Sequence, residues 1–287
     1  MDFVLNTIQW LREVPRNFKG EVATVVFDDS ADILVYCCVL YILLVFMVPE
    51  HIMKNREPFN LRLPFVVWNI GLCLFSICGA YSCVKNMTAL YWERGFYRTT
   101  CFFDSSVAYD GEFAFWVFYF ILSKIPEMID TVFLVFQKKP VIFLHWYHHL
   151  TVAIFCWHAG HALIPSGLWF ATMNYCVHSI MYFYYFMCAC GMRKVIRPIA
   201  PFITMMQLLQ MVAGTLIVLY TAYHSYLSES GCEVDRTSIR LGLVMYGSYF
   251  FLFAVLFGKL YLKKQVKPSG TASAYAMSKK RNGEKMA

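Results

Sequence analysis

The chain has 287 residues, of which 59% are hydrophobic, 18% aromatic and only 15% charged, whereas about a quarter of an average soluble domain is charged. That surplus of apolar surface excludes an ordinary soluble globular domain, and nothing in the chain reads as a nucleic-acid interface. No Gly-rich phosphate loop, soluble catalytic domain or zinc-type cysteine array is visible, so any chemistry has to be built inside a membrane bundle.

A bilayer core of about 30 Å needs about 20 predominantly apolar residues per helix. On that basis the chain is expected to be an all-α, polytopic membrane protein of seven spans, near residues 33–49, 64–88, 113–136, 141–158, 166–190, 199–224 and 240–262. Residues 1–32 read as an extramembrane N-terminal segment without a signal peptide, so the first and shortest span has to act as its own insertion signal. Residues 33–264 form the membrane domain, and the small, polar, basic tail over 265–287 is expected to be disordered.

After the second span comes a glycosylation sequon, Asn86-Met87-Thr88. The third span contains LSKIPEMIDT, in which Lys124, Glu127 and Thr131 share a face and Asp130 follows Glu127 by three. Pro126 should kink this helix. A self-neutralising Lys-carboxylate cluster that pins helices together explains these charges as well as a functional site does.

The fourth span carries FLHWYHHLTV, whose His145, His148 and His149 fall on one stripe. A lone histidine on an apolar face is usually a satisfied core residue, but three together are costly unless their donors and acceptors find partners. The fifth has NYCVHSIMYFYY, with Asn174, His178, Tyr182 and Tyr185 at helical spacing. The sixth has TMMQLLQ, placing Thr204, Gln207 and Gln210 three apart; helix-to-helix hydrogen bonding would account for the two Gln by themselves.

The short loops after the first, third and fifth spans and the chain from Lys259 onwards hold 16 of the 25 basic residues, so the positive-inside bias favours an N-terminus outside the cytosol and a cytosolic C-terminus. Cys101 and Cys232 then lie in loops on the same oxidising side and are a candidate disulfide. At 1.5 Å per residue, the histidines lie roughly 6 to 12 Å from the cytosolic helix end, the carboxylates roughly 9 to 14, His178 roughly 18 and the glutamines roughly 12 to 17. Independent packing gives no reason for one shared band, whereas a single buried site opening towards the cytosol does.

Two chemistries use clustered imidazoles: metal-dependent oxidation, and acid-base or nucleophilic catalysis. Of the eight histidines, His51 and His224 lie near helix ends and His158 and His161 near the opposite face, too few for a di-iron centre. LSKIPEMIDT, FLHWYHHLTV, NYCVHSIMYFYY and TMMQLLQ together resemble the ELO-type very-long-chain fatty acid elongases, matching KxxExxDT, HxxHH, NxxxHxxMYxYY and TxxQxxQ in order over about residues 33 to 264. With Pro140 five before His145, the HWYHH form resembles the branch acting on saturated or monounsaturated chains.

The resemblance implies the condensing step of elongation, in which an acyl-CoA and malonyl-CoA give a 3-oxoacyl-CoA, CO2 and CoA. The implied setting is the endoplasmic reticulum membrane, with the acyl chain in a closed-ended tunnel among six helices. It implies reductases and a dehydratase as partners and the two CoA thioesters as substrates, with no further cofactor and no metal; a homo-oligomer is compatible. By resemblance His148 takes the acyl group, with His145 and His149 orienting it or moving protons. Glu127 and Asp130 fix tautomers, and Lys124 keeps them ionised. His178 and Asn174, with Gln207 and Gln210, polarise the malonyl thioester. Lys138, Lys139, Arg193 and Lys194 are the expected partners of the CoA phosphates. Cys156, seven residues after His149, is a rival nucleophile. A metal-dependent desaturase or hydroxylase and a seven-helix transporter or receptor remain as alternatives, and chain-length preference and oligomeric state are not legible.

Overall fold

A computed structural model describes residues 13–262; the expected tail over 265–287 and the first twelve residues lie outside them. Every regular element among the described residues is helical. The long helices are α1 (Gly20–Asp29), α2 (Ala31–Phe46), α3 (Arg62–Cys101), α4 (Gly111–Glu127), α5 (Ile129–Phe136), α6 (Phe143–His161), α7 (Gly167–Ala189), α8 (Ala200–Tyr226) and α9 (Arg236–Phe257).

By length and composition, Arg62–Cys101, Arg193–Tyr226 and Arg236–Tyr261 can cross a membrane, and α1 with α2, bent by 59°, can form a fourth, broken span. That is fewer than the seven expected, for reasons visible in the side chains. The expected third span is two pieces, because Pro126 ends the regular ladder and Met128 N–H turns back to Ile125 O at 3.1 Å. Helices α6 and α7 have 19 and 23 residues, but their histidines, Asn174 and tyrosines dilute their apolar character.

Helix α3 is longer than the expected 64–88. It runs on past Asn86 and kinks at Gly95, whose φ of 76° suits a residue without a side chain. The sequon therefore does not lie in a loop. Asn86 is half-buried within a helix, and its amide donates to Ser82 O at 2.8 Å, which removes the accessible surface loop that glycosylation needs.

In a membrane, helices associate through close van der Waals packing, which small residues permit. Helix α3 lies along α7 with Tyr175 seated on Gly79, and α8 lies along α9 with Tyr246 seated on Gly214; a methyl group at either glycine would collide with the ring. Arg62 ties the start of α3 to the end of α7, donating from Nε to Ala189 O at 3.1 Å and from Nη2 to Cys190 O at 3.2 Å. A cation at this end also opposes the negative pole of α7. At the other end of the bundle, Cys101 and Cys232 are joined in a disulfide. The core continues past the expected boundary at residue 32, since Phe27 of α1 is buried with Phe118, Ile121 and Trp157.

Candidate active site

The break after Pro126 is what aims the third segment's polar residues. Lys124 and Glu127 lie on the last turns of α4 and are almost wholly buried, whereas Asp130 and Thr131 open α5. Lys124 Nζ donates to Glu127 Oε1 at 2.7 Å and to Asn174 Oδ1 of α7 at 3.1 Å. Ser123 Oγ is also 2.7 Å from Glu127 Oε1.

Hydrogen-bond logic then assigns a tautomer. Lysine only donates, so Asn174 turns its oxygen to Lys124 and its Nδ2 to His178 Nε2, 3.1 Å away. That nitrogen therefore accepts, and the proton of neutral His178 sits on Nδ1. Nδ1 faces Glu127 Oε2 at 3.8 Å, and that oxygen has no other partner. Lys124, Glu127, Asn174 and His178 thus form one connected circuit across α4 and α7.

Asp130 departs from its expected role. It accepts from Trp68 Nε1 at 2.7 Å and from Tyr182 OH at 3.0 Å, so it binds α3 to α7 and touches no imidazole. His145 Nε2 is instead 2.9 Å from Thr131 Oγ1, which is 2.8 Å from Tyr41 OH. His149 is buried, with a partnerless Nδ1 and its ring centroid 4.6 Å from that of His145. The His148 ring, like that of His149, makes no hydrogen bond among the described residues, while the His148 backbone carbonyl accepts from Tyr249 OH at 3.2 Å.

Two cavities meet at this ring. The larger, about 460 Å³, gathers the polar side chains among apolar neighbours: all three histidines and Asp130, Asn174, His178, Tyr182, Tyr185, Thr204, Gln207 and Gln210 line it. The narrower, about 100 Å³, is apolar and continues along α6 past Cys156 towards Gly160. His148, Asn174, Gln210 and Met211 line both. Gln210 is buried and its amide makes no hydrogen bond among the described residues, whereas Gln207 Nε2 lies 3.3 Å from Met181 Sδ. Cys156 lines only the apolar cavity, about two helical turns beyond His148.

Four expected residues are not brought in. Lys138 Nζ donates to Lys54 O at 3.2 Å, and Arg193 and Lys194 sit exposed on the single turn Arg193–Ile196. Lys139 only flanks the polar cavity, its ammonium lying 5.8 Å from the ring centroid of Phe65, which lines it. These cations are exposed and at the loops, where solvation rather than a buried anion determines their position. Conversely, Trp68, Asn69, Tyr41, Ser123 and Tyr249 shape the site without having been singled out. The pair Trp68-Asn69 inside an apolar run was a usable signal; Asn69 is 1% exposed.

The described residues thus fit an all-helical, multi-pass membrane protein in which an imidazole-lined chamber joins an apolar slot. The chain belongs to the ELO family of fatty acid elongases: residues 26–269 match that family, described as GNS1/SUR4. It is 98% identical over 287 residues, all of both chains, to a "Very long chain fatty acid elongase 4" of Trypanosoma cruzi. It is 51% identical over 284 residues to a "Fatty acid elongase 3" of the same organism, covering 89% of this chain and 93% of that one. A "Very long chain fatty acid elongase 6" of Drosophila melanogaster is 40% identical over 228 residues, covering 79% and 71%. The metal-enzyme alternative is not favoured, since the matching family and these relatives are fatty acid elongases.

Proposed function

We propose that the protein condenses an acyl-CoA with malonyl-CoA through an acyl-imidazole on His148. The observation that supports this choice over His145 and His149 is that His148 lines both cavities, whereas the other two line only the larger. The thioester carbonyl then lies at the junction, the acyl chain enters the apolar slot as a closed-ended tunnel, and CoA occupies the polar chamber.

In the first half, His148 attacks the acyl carbonyl, the new C–N bond replaces the C–S bond, and CoA leaves as a thiolate that takes a proton. In the second half, malonyl-CoA loses CO2, and the resulting enolate carbon attacks the acyl-imidazole carbonyl and releases the imidazole. The products are a 3-oxoacyl-CoA two carbons longer, CO2 and CoA, with one proton consumed. Gln210 and Asn174, beside His148, donate to the oxygen that gains negative charge. His178, held as the Nδ1–H tautomer against Glu127, keeps a fixed nitrogen towards Asn174, so its part is to position that donor and to hold or move one proton.

The bundle has seven spans in this reading, with the broken α4–α5 pair counted as one and the N-terminus lumenal. The protein resides in the endoplasmic reticulum membrane, with the polar chamber towards the cytosol. Exposed Lys139, nearest the chamber, and then Lys138, Arg193 and Lys194 attract CoA phosphates by charge rather than by fixed hydrogen bonds. A 3-oxoacyl product requires reduction and dehydration, so the reductases and dehydratase are the functional partners.

The test is to supply the purified protein with radiolabelled malonyl-CoA and acyl-CoAs of graded length, without NADPH. Labelled 3-oxoacyl-CoA is expected from the unchanged protein and none from His148→Ala or His148→Gln. No product from folded, unchanged protein contradicts the proposal.

A further inference from the structure

The apolar cavity follows α6 from His148 to Gly160, about 18 Å at the helical rise. At that far end one wall is α1, through Gly20, Ala23 and Phe27, with Phe18 just before it. Helix α1 is tied down at both ends. Where it begins, Asp110 accepts from Gly20 N–H at 2.8 Å and from Lys19 Nζ at 2.9 Å, and Gly111 N–H donates to Phe18 O at 2.9 Å. Where it finishes, Trp157 Nε1 donates to Phe27 O at 3.1 Å, and Asp28 meets His161 at 2.5 Å.

Phe27 is 4% exposed, with its ring centroid 5.3 Å from that of Trp157 and 5.6 Å from that of Phe118. Its seat exists because residue 160 is glycine: a methyl group there would fall 2.6 Å from a Phe27 ring carbon. The match to the family begins only at residue 26, so Phe18, Gly20 and Ala23 precede the region that this chain shares with it.

We infer that α1 is the stop of the acyl cavity, and that Ala23 and Phe27 set the chain length beyond which this enzyme no longer condenses. This rests on the acyl-chain reading of the apolar cavity given above. A chain anchored at His148 grows towards α1, and once its terminal methyl group reaches the Phe27 ring, two more carbons require a strapped helix to move. Close-packed walls resist that. A shorter primer never reaches the ring, so α1 affects long primers and leaves short ones alone.

The experiment uses the full chain in lipid vesicles, radiolabelled malonyl-CoA, and a graded series of saturated acyl-CoA primers, one condensation each. Enlarging the wall with Ala23→Leu is expected to lower the ratio of long-primer to short-primer activity by roughly tenfold or more, the scale on which an apolar pocket discriminates one methylene. Phe27→Ala is expected to move the longest accepted primer upwards. Val25→Leu, on the outer face of α1 and 57% exposed, is expected not to move the profile. If Phe27→Ala fails to fold, Ala23→Leu against Val25→Leu carries the test. A length profile unmoved by Ala23→Leu, or moved equally by Val25→Leu, overturns α1 as the stop while product formation still upholds condensation. No 3-oxoacyl product from any primer with the unchanged protein overturns both.

Discussion

Lys124 and Glu127 are 2% and 3% exposed, and a buried pair of this kind is conspicuous mainly when one partner is lost. Lys124→Met leaves a carboxylate without its cation and should lower stability by about 3 to 5 kcal/mol, whereas the double change Lys124→Met with Glu127→Gln should recover much of it. Thermal unfolding in detergent checks both. The tautomer of His178 gives a sharper prediction. Asn174→Asp replaces the donor to His178 Nε2 with an acceptor, which favours the proton moving to Nε2 and away from Glu127. Because a positioned acid or base is worth on the order of 100-fold or more, kcat should fall by about that factor with little change in the KM for acyl-CoA. An unchanged kcat would detach this circuit from catalysis. The residues in the circuit were legible because a charge or imidazole inside an apolar run is expensive. Their partners were not: spacing places Glu127 and Asp130 near one another on a helix, but only the break after Pro126 sends Glu127 to His178 and Asp130 to Trp68 and Tyr182.

At the scale of elements, periodicity located the helices well and their ends less well. Pro126 announced the kink, yet nothing local said that α3 would run past residue 88 through a bend at Gly95, φ 76°, to Cys101. The glycines at helix contacts are similarly silent in sequence, since a glycine states that a neighbour comes close without naming it. Gly214→Ala should destabilise the bundle by about 1 to 3 kcal/mol, because Tyr246 has to leave its seat on α8. Gly247→Ala, on α9 with no atom near the added carbon, should not, and a paired unfolding measurement decides it. Helix α1, GEVATVVFDD, falls in the stretch that reads as extramembrane, and its Phe27 packs into the buried core, a contact that nothing local in the sequence announces.

For the whole molecule, the common depth of the four polar sets was the strongest sequence argument, and the structure shows why it worked: histidines, carboxylate, amides and tyrosines from five helices line one chamber. The disulfide closes the opposite end, assisted by Glu233 N–H donating to Cys101 O at 2.8 Å and Tyr97 OH donating to Ser230 O at 2.8 Å. Reduction, or Cys232→Ser, should cost about 2 to 5 kcal/mol of stability because it frees the chain between residues 101 and 232, and should leave the chamber's chemistry intact in protein that stays folded. The central claim, that His148 carries the acyl group, is tested most directly by trapping. Protein mixed with labelled acyl-CoA but no malonyl-CoA should hold a label that peptide mass spectrometry places on His148 and that malonyl-CoA discharges as 3-oxoacyl-CoA. A label on Cys156, His145 or His149, or one that malonyl-CoA cannot discharge, contradicts it.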